Sequence, residues 1–333
     1  HLYNAWLRGV IAQQKVGGLR VVPQATNVLF DYLLEYASRA FGYQTGHKLA
    51  ASVLALTFFW GAFAFLRAVT GRRPVSLIPC LLILSYGWTF HMGFGNFYLA
   101  AGLSLLCLAA AWRGGALRVA ASLPLLALAA TAHLLPVCWA LGMLGYALLA
   151  RRVCATGRPW LLAGCCAALA ALRLALSILC PTRWDASQLL SVTTADQAWV
   201  YGRKYMLISF GLLYLFGLLL PARASDADPE SRIMLSGAGL TAFGVAVLPN
   251  AVLFPQYRHS LDFIAYRMSL LLGVTYCAVL AGGVISKRAR LAFAALAALF
   301  FSFLYADSRA LNRFEDRVQA AVSQAPPASR LIN

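Results

Sequence analysis

Acidic side chains are scarce in this chain. Eleven Asp and Glu stand against 28 Lys and Arg, and charged residues make up 12% of the 333 positions. This composition excludes an ordinary soluble domain, which carries about twice that charged fraction. The basic excess forms no dense tail and accompanies no aromatic RNA-binding motif, so we expect no nucleic-acid partner. It indicates instead short basic loops beside anionic membrane lipids.

Motifs of the common catalytic and cofactor centres are missing as well. The chain has no Walker loop, no G-x-G-x-x-G, no H-E-x-x-H and no G-x-S-x-G, which argues against the chemistries that those motifs carry. Its eight cysteines show no C-x-x-C spacing and nearly all lie in apolar runs. We expect them to pack as small core residues. These patterns identify no cofactor.

Long apolar runs are what the chain has in abundance. Hydrophobic residues make up 61% of it, mean hydropathy is +0.71, and the runs extend from Ala50 to Tyr305. A bilayer core takes about 20 apolar residues as helix, and lipid leaves the backbone to satisfy its own hydrogen bonds. The sequence predicts an all-α, polytopic transmembrane helical protein with about ten spans, at residues 48–68, 75–90, 94–112, 117–132, 134–150, 158–179, 205–220, 232–249, 265–283 and 288–306.

Two amphipathic segments precede these spans, at about residues 2–14 and 26–41. The second carries Asp31, Glu35 and Arg39, three charges that would be costly inside a span. We therefore expect two interfacial helices near the N-terminus.

Basic residues mark every second connection between the spans, and the positive-inside rule places those connections in the cytoplasm. The predicted protein is a multi-pass protein of the bacterial inner (plasma) membrane. Its regions are exoplasmic interfacial helices at 1–47, a multi-span domain at 48–306, and an exoplasmic exit helix at 307–333 that begins a further C-terminal segment.

Two carboxylates are candidates for catalysis. Asp31 and Glu35 lie one helical turn apart, on one face. They form either the solvated face of an interfacial helix or an acid/base or metal-binding pair.

The string from His91 to Tyr98 places glycines and aromatic rings at a span boundary. One interpretation is an aromatic belt with glycines for close packing. The other is a turn that faces a substrate groove, with His91 or Asn96 bonded to the substrate.

Basic residues on the same predicted side could hold a phosphate. Arg173 lies inside a predicted span, and Arg258, His259 and Arg267 lie in or beside a loop rich in hydrogen-bond donors. Arginine suits phosphate because its planar fork donates two hydrogen bonds at once. Each could equally anchor a lipid headgroup.

All five histidines fall on the predicted exoplasmic side, which suggests a divalent metal or a proton relay. No two of them have i, i+3 or i, i+4 spacing, so no metal ligand set is assigned; the five are His1, His47, His91, His133 and His259.

Three segments of the chain are similar to parts of a known membrane-protein family. They are the predicted helix at the start of the chain, the stretch from Pro23 to Gly42 and the string from Gly93 to Tyr98. Together with the many short-looped spans, this layout resembles the GT-C superfamily of membrane glycosyltransferases, of the protein-mannosyltransferase and aminoarabinose-transferase type. Those proteins have a first exoplasmic loop with two interfacial helices. The glycine-aromatic string is similar to that of uncharacterised bacterial branches.

The resemblance implies a polyprenyl-phosphate sugar as donor at the exoplasmic face. An acid would deprotonate or orient the acceptor, and Arg173, Arg258 and Arg267 would hold the lipid phosphate. His91 and Asn96 would line the groove. Nothing acidic precedes Asp31, so we expect the family's catalytic acid upstream of His1, or else an inactive relative.

Two other functions stay open at this point. Alanine- and leucine-rich spans with few polar residues suit a non-catalytic subunit that binds other membrane subunits. A transporter is the second alternative, although no pair of spans shows the charged interior or glycine- or proline-broken midpoint typical of transport sites.

Overall fold

The computed structural model of the protein describes residues 2–14, 18, 24–225, 228–254 and 260–324. Within them the chain is almost entirely helical, as the sequence predicted, with one two-stranded antiparallel sheet of β1 (Thr182–Arg183) and β2 (Ala251–Val252). The helices are α1 Leu2–Ala12, α2 Leu29–Phe41, α3 Tyr43–Thr70, α4 Ile78–Ser85, α5 Trp88–His91, α6 Gly95–Ala111, α7 Ala116–Ala132, α8 Leu134–Arg152, α9 Arg158–Leu179, α10 Gln188–Ser191, α11 Met206–Ser225, α12 Pro229–Val247, α13 Ile264–Ala281 and α14 Lys287–Ser323.

Six of the described helices are long and apolar enough to cross a membrane. They are α3, α8, α9, α11, α13 and α14. The predicted spans at 94–112 and 117–132 form helices of 17 residues each, α6 and α7. These helices are compatible with a multi-pass membrane protein, while the count of ten spans stays a prediction.

The segment predicted as a single span at 75–90 is broken. α4 ends at Ser85, Gly87 is extended, and α5 begins at Trp88. A Cβ at Gly87 would lie 2.6 Å from the carbonyl oxygen of Gln197, so the break leaves room for a loop that packs against it. Tyr98 donates its hydroxyl to the freed Ser85 carbonyl at 2.8 Å, which satisfies the interrupted backbone.

One end of the helix bundle collects the basic connections. Arg113 donates to the carbonyl oxygen of Val69, and the Arg151 guanidinium lies 5.2 Å from the Trp112 ring centre. Arg151 also forms a bidentate pair with Glu230, at 2.9 and 2.8 Å. We call this the Arg113 end. Which side of a membrane it faces stays a prediction.

The opposite end, which we call the Asn96 end, carries α2, the second of the two helices predicted to be interfacial. The Val28 amide donates to the Thr131 carbonyl at 3.2 Å, so the chain before α2 is tied to the last turn of α7. Gly42 then turns the chain into α3 with a φ of 79°, a left-handed value that favours glycine. The predicted exit helix is continuous with the last predicted span, since α14 runs without a break to Ser323.

Two buried thiols offer a direct check on the packing of α4 against α13. The Sγ atoms of Cys80 and Cys277 lie 3.4 Å apart. In a variant whose other six cysteines are replaced by serine or alanine, we expect molecular iodine to join these two in a disulfide. Maleimide labelling of the denatured protein should then find no free thiol. In a control variant that retains only Cys80 and Cys107, both thiols should stay free and react with maleimide.

Candidate functional site

Asn96 ties the start of α6 to α2. Its side-chain oxygen accepts from the Phe30 amide at 2.7 Å, and its Nδ2 donates to the Asp31 carboxylate and the Asn27 carbonyl, each at 2.9 Å. Asp31 and Asn96 are 7% and 2% exposed. The structure thus brings together two predicted site residues that lie 65 positions apart, and it fixes the Asp31 carboxylate in direction.

A second predicted residue, Arg267, packs against two aromatic rings at the start of α6. Its guanidinium carbon is 4.8 Å from the Phe94 ring centre and 5.6 Å from that of Phe97. Its N–H groups donate to the backbone carbonyls of Asp262 and Phe263. The side chain is only 5% exposed, and in the described part of the chain no carboxylate forms an ion pair with it, although Asp262 lies within electrostatic range.

His133 completes this group, which we call the Arg267 cluster: Arg267, His133, Phe94 and Phe97. The imidazole packs edge-on against Phe97 with ring centres 5.6 Å apart, and its Nε2 lies 3.3 Å from Arg267 Nη1. Its Nδ1 accepts from the Leu135 amide at 3.1 Å and caps the N-terminus of α8. Burial first, and the Arg267 charge second, lower the pKa of His133 to about 3.

The neutral His133 ring therefore has its proton on the nitrogen that faces another hydrogen-bond donor. A neutral imidazole has one donor and one acceptor nitrogen. Because Nδ1 accepts the Leu135 amide, the ring proton sits on Nε2, and two donors then face each other, His133 Nε2–H and Arg267 Nη1–H. An oxygen of an anion placed between them would accept from both.

An apolar cavity of about 600 Å³ lies between α8, α9, α12 and α13. It is lined along α8 from Leu135 to Leu149, a length of about 20 Å in helix. Near the Asn96 end its wall includes Met268, which follows Arg267, Ile264, which lies three residues before it, and Leu135, whose amide donates to His133. The cavity thus runs from the interior of the bundle to residues that neighbour the Arg267 cluster, whose four members do not themselves line it.

The other predicted site residues do not join this cluster. Arg173 donates to the Val247 carbonyl at 2.6 Å and lies over the Trp184 ring, so it ties α9 to α12. Glu35 pairs with Arg39 one turn away, at 2.6 Å on the surface of α2. His91 contacts the Tyr201 hydroxyl through Nδ1 at 2.9 Å. Arg258 and His259 lie outside the described residues.

A second polar network, centred on Gln197, was missed in the sequence. Its side-chain oxygen accepts from the Thr89 hydroxyl at 2.8 Å, and its nitrogen lies 2.7 Å from both the Tyr266 carbonyl and the Ser269 hydroxyl. Ser269 in turn lies 2.6 Å from Asp196 Oδ2. The segment 180–204, which connects the predicted spans 158–179 and 205–220, is thus folded inward against α5 and α13.

No group of three or more metal-ligating side chains lies close together in the part of the chain that the structure describes. The chain matches no protein-family model, no curated protein and no solved structure.

Proposed function

We propose that this protein is a membrane glycosyltransferase of the GT-C type, which takes a polyprenyl-phosphate sugar as donor at the Asn96 end. The observation that carries the proposal is the Arg267 cluster: a nearly buried arginine and a histidine N–H point at each other, and residues close to them in the chain, Met268 and Leu135, line an apolar cavity. A phosphate oxygen would accept from both of these donors and pair the arginine charge.

In this proposal the cavity between α8 and α9 holds part of the isoprenoid chain, and Arg267 binds the phosphate. The acceptor hydroxyl attacks the anomeric carbon, and the bond from that carbon to the phosphate oxygen breaks. Arg267 stabilises the negative charge that develops on the leaving phosphate, which is the main catalytic contribution. Among the two candidate carboxylates, Asp31 is favoured to receive the proton because Asn96 orients it, whereas Glu35 is held by Arg39.

The proposal also sets the topology. The Arg113 end, with its basic connections, faces the cytoplasm of a bacterial inner membrane by the positive-inside rule. The Asn96 end with the interfacial helices α1 and α2 then faces the exoplasmic side.

Binding of the donor lipid to Arg267→Gln protein tests this function. In nanodiscs we expect wild-type protein to bind polyprenyl phosphate much more tightly than unphosphorylated polyprenol. The Arg267→Gln variant should lose roughly thirtyfold in affinity for the phosphate, since about 2 kcal/mol of charge-assisted bonding is removed.

Arg173→Gln is the matched control, because Arg173 also contacts a backbone carbonyl and an aromatic ring near the same end. It should change polyprenyl-phosphate affinity less than about threefold. Equal binding of the phosphate and the alcohol by wild-type protein would remove the basis for the assignment.

Two features favour the alternative functions. None of the residues of α9 is buried within the chain, although the helix is strongly apolar, which suits a structural subunit covered by a neighbour as well as by lipid. The break between α4 and α5, lined by the Gln197 network, is the kind of interruption used by transporters. Transport of a solute by the protein in sealed vesicles, with no transferase activity, would favour that second alternative.

A further inference from the structure

A second cleft opens at the Arg113 end, far along the helices from the Arg267 cluster. It lies between α3, α6 and α7 and has a volume of about 650 Å³. Three arginines lie around it: Arg67 in the last turn of α3, Arg113 just after α6, and Arg118 in the first turn of α7. We call them the cleft arginines.

The cleft arginines are not neutralised within the described chain. None of them forms an ion pair there, and all three are exposed. Arg113 donates through one nitrogen to the Val69 carbonyl, which leaves the rest of its fork unused. Glu230 lies within electrostatic range of Arg113, but its two oxygens are held by Arg151. Three cations therefore line one cleft, and in the described part of the chain no carboxylate forms an ion pair with any of them.

The walls of the cleft change character along the helix axes. Trp60 lies seven residues, two turns, before Arg67 on α3, which places it about 10 Å farther into the bundle. Together with Phe63 and Leu106 it gives that part of the cleft an aromatic and aliphatic lining. Trp60 is 55% exposed, so a ligand can reach the ring from outside. A cationic mouth above an apolar wall matches an amphiphile, with an anionic head and a hydrocarbon chain.

We propose that the cleft between α3, α6 and α7 binds an anionic phospholipid, with its phosphate between Arg67, Arg113 and Arg118 and an acyl chain against Trp60 and Phe63. Arginine forks fit phosphate oxygens in pairs, and basic residues at this end of the bundle coincide with the leaflet that carries anionic lipid under the positive-inside rule. Gly114, which lines the cleft just before α7, places no side chain there. The site is separate from the proposed donor site and does not depend on it.

Native mass spectrometry of the intact protein released from nanodiscs tests the site. With phosphatidylglycerol and phosphatidylcholine in equal amounts, we expect wild-type protein to retain phosphatidylglycerol. The triple variant R67Q/R113Q/R118Q should retain it at least about tenfold less.

The control variant R152Q/R288Q/R290Q removes the same charge from arginines of the same end that do not line the cleft, and it should retain the lipid as wild type does. A second cleft variant, A110W, fills the apolar wall and keeps every arginine, so it should also lose the lipid even if the triple variant folds poorly. Inorganic phosphate at millimolar concentration should not displace the lipid.

Equal loss of lipid in the control and the cleft variants would overturn the proposal, since it would reduce the effect to net charge. Displacement by inorganic phosphate alone would assign the cleft to a free anion and overturn the lipid. Retention of phosphatidylcholine equal to phosphatidylglycerol in wild type would overturn the role of the arginines.

Discussion

Replacing Gly102 with leucine is expected to prevent stable folding of the protein. α3 and α6 approach so closely that a Cβ on Gly102 would lie 2.8 Å from the Phe58 amide nitrogen, and a Cβ on Gly61 would lie 2.4 Å from the Gly102 carbonyl oxygen. Both obstacles are backbone atoms, which cannot rotate away as a side chain can. Without a hydrophobic force between helices in lipid, such small-residue contacts supply much of the packing energy.

The expected size of the effect follows from where the contact lies. Most of α6 is buried, and it packs against α3, α7 and α8. Parting α3 from α6 would therefore cost more than the about 1–3 kcal/mol typical of an overpacked core. In detergent, we expect Gly102→Leu to abolish a monodisperse gel-filtration peak, and Gly102→Ala to lower the unfolding temperature by several degrees.

Gly145→Leu is the matched control for this effect. Gly145 also lies inside a helix, α8, but a Cβ there meets nothing within 4 Å. Its leucine variant should fold and unfold as wild type does. If Gly102→Leu proved as stable as Gly145→Leu, the close approach of α3 and α6 would be wrong.

The helices themselves could be predicted because length and apolarity are local properties. The predicted span 134–150 corresponds to Leu134–Arg152, and 158–179 corresponds to Arg158–Leu179. Lipid forces such runs into helix whatever they pack against. The break at Gly87 could not be predicted in this way, since it depends on Gln197, a residue 110 positions further along the chain that fills the gap.

The sequence could identify single residues of the candidate site, but not which of them lie together. Asn96 stood out within the string of glycines and aromatic residues, and Arg267 stood out beside a loop rich in hydrogen-bond donors. Their partners did not, since nothing in the sequence links Asp31 to Asn96 or His133 to Arg267. Arg173 was an equal candidate because it lies inside a predicted span. Only the structure shows that Arg173 joins two helices, whereas Arg267 belongs to a buried cluster. The signal that could have found Gln197 is weak, because glutamine is common on solvated loops.

The stability of the protein is expected to fall as pH rises from about 5 to 8, because of Asp196. Burial raises the pKa of its carboxyl from 3.8 to about 7, against opposing hydrogen bonds from Ser269 and Gln197. Its Oδ1 is buried and has no hydrogen-bond partner in the described structure. The carboxyl is thus close to half protonated at neutral pH, inside the network that joins α5 to α13.

The direction in which the free energy of unfolding changes with pH follows from proton linkage. Between pH 3.8 and about 7 the folded protein binds more protons at Asp196 than the unfolded chain does, so the free energy of unfolding decreases with rising pH and levels off above pH 7. The total is on the order of 4 kcal/mol, most of it lost within the accessible range. For a chain of this length that corresponds to roughly 5 °C in unfolding temperature.

Asp196→Asn isolates this contribution, because it removes the charge and keeps the shape of the side chain. Thermal unfolding in detergent at pH 5 to 8.5 should show a falling unfolding temperature for wild type and a nearly flat one for the Asp196→Asn variant, which becomes the more stable of the two above pH 7. The variant Asp185→Asn serves as control, since Asp185 is exposed and hydrogen bonds to Ser187 lower its pKa, so its titration lies below this range. Parallel curves for wild type and Asp196→Asn would show that Asp196 is solvated rather than enclosed, and that the segment at 180–204 does not fold inward against α13.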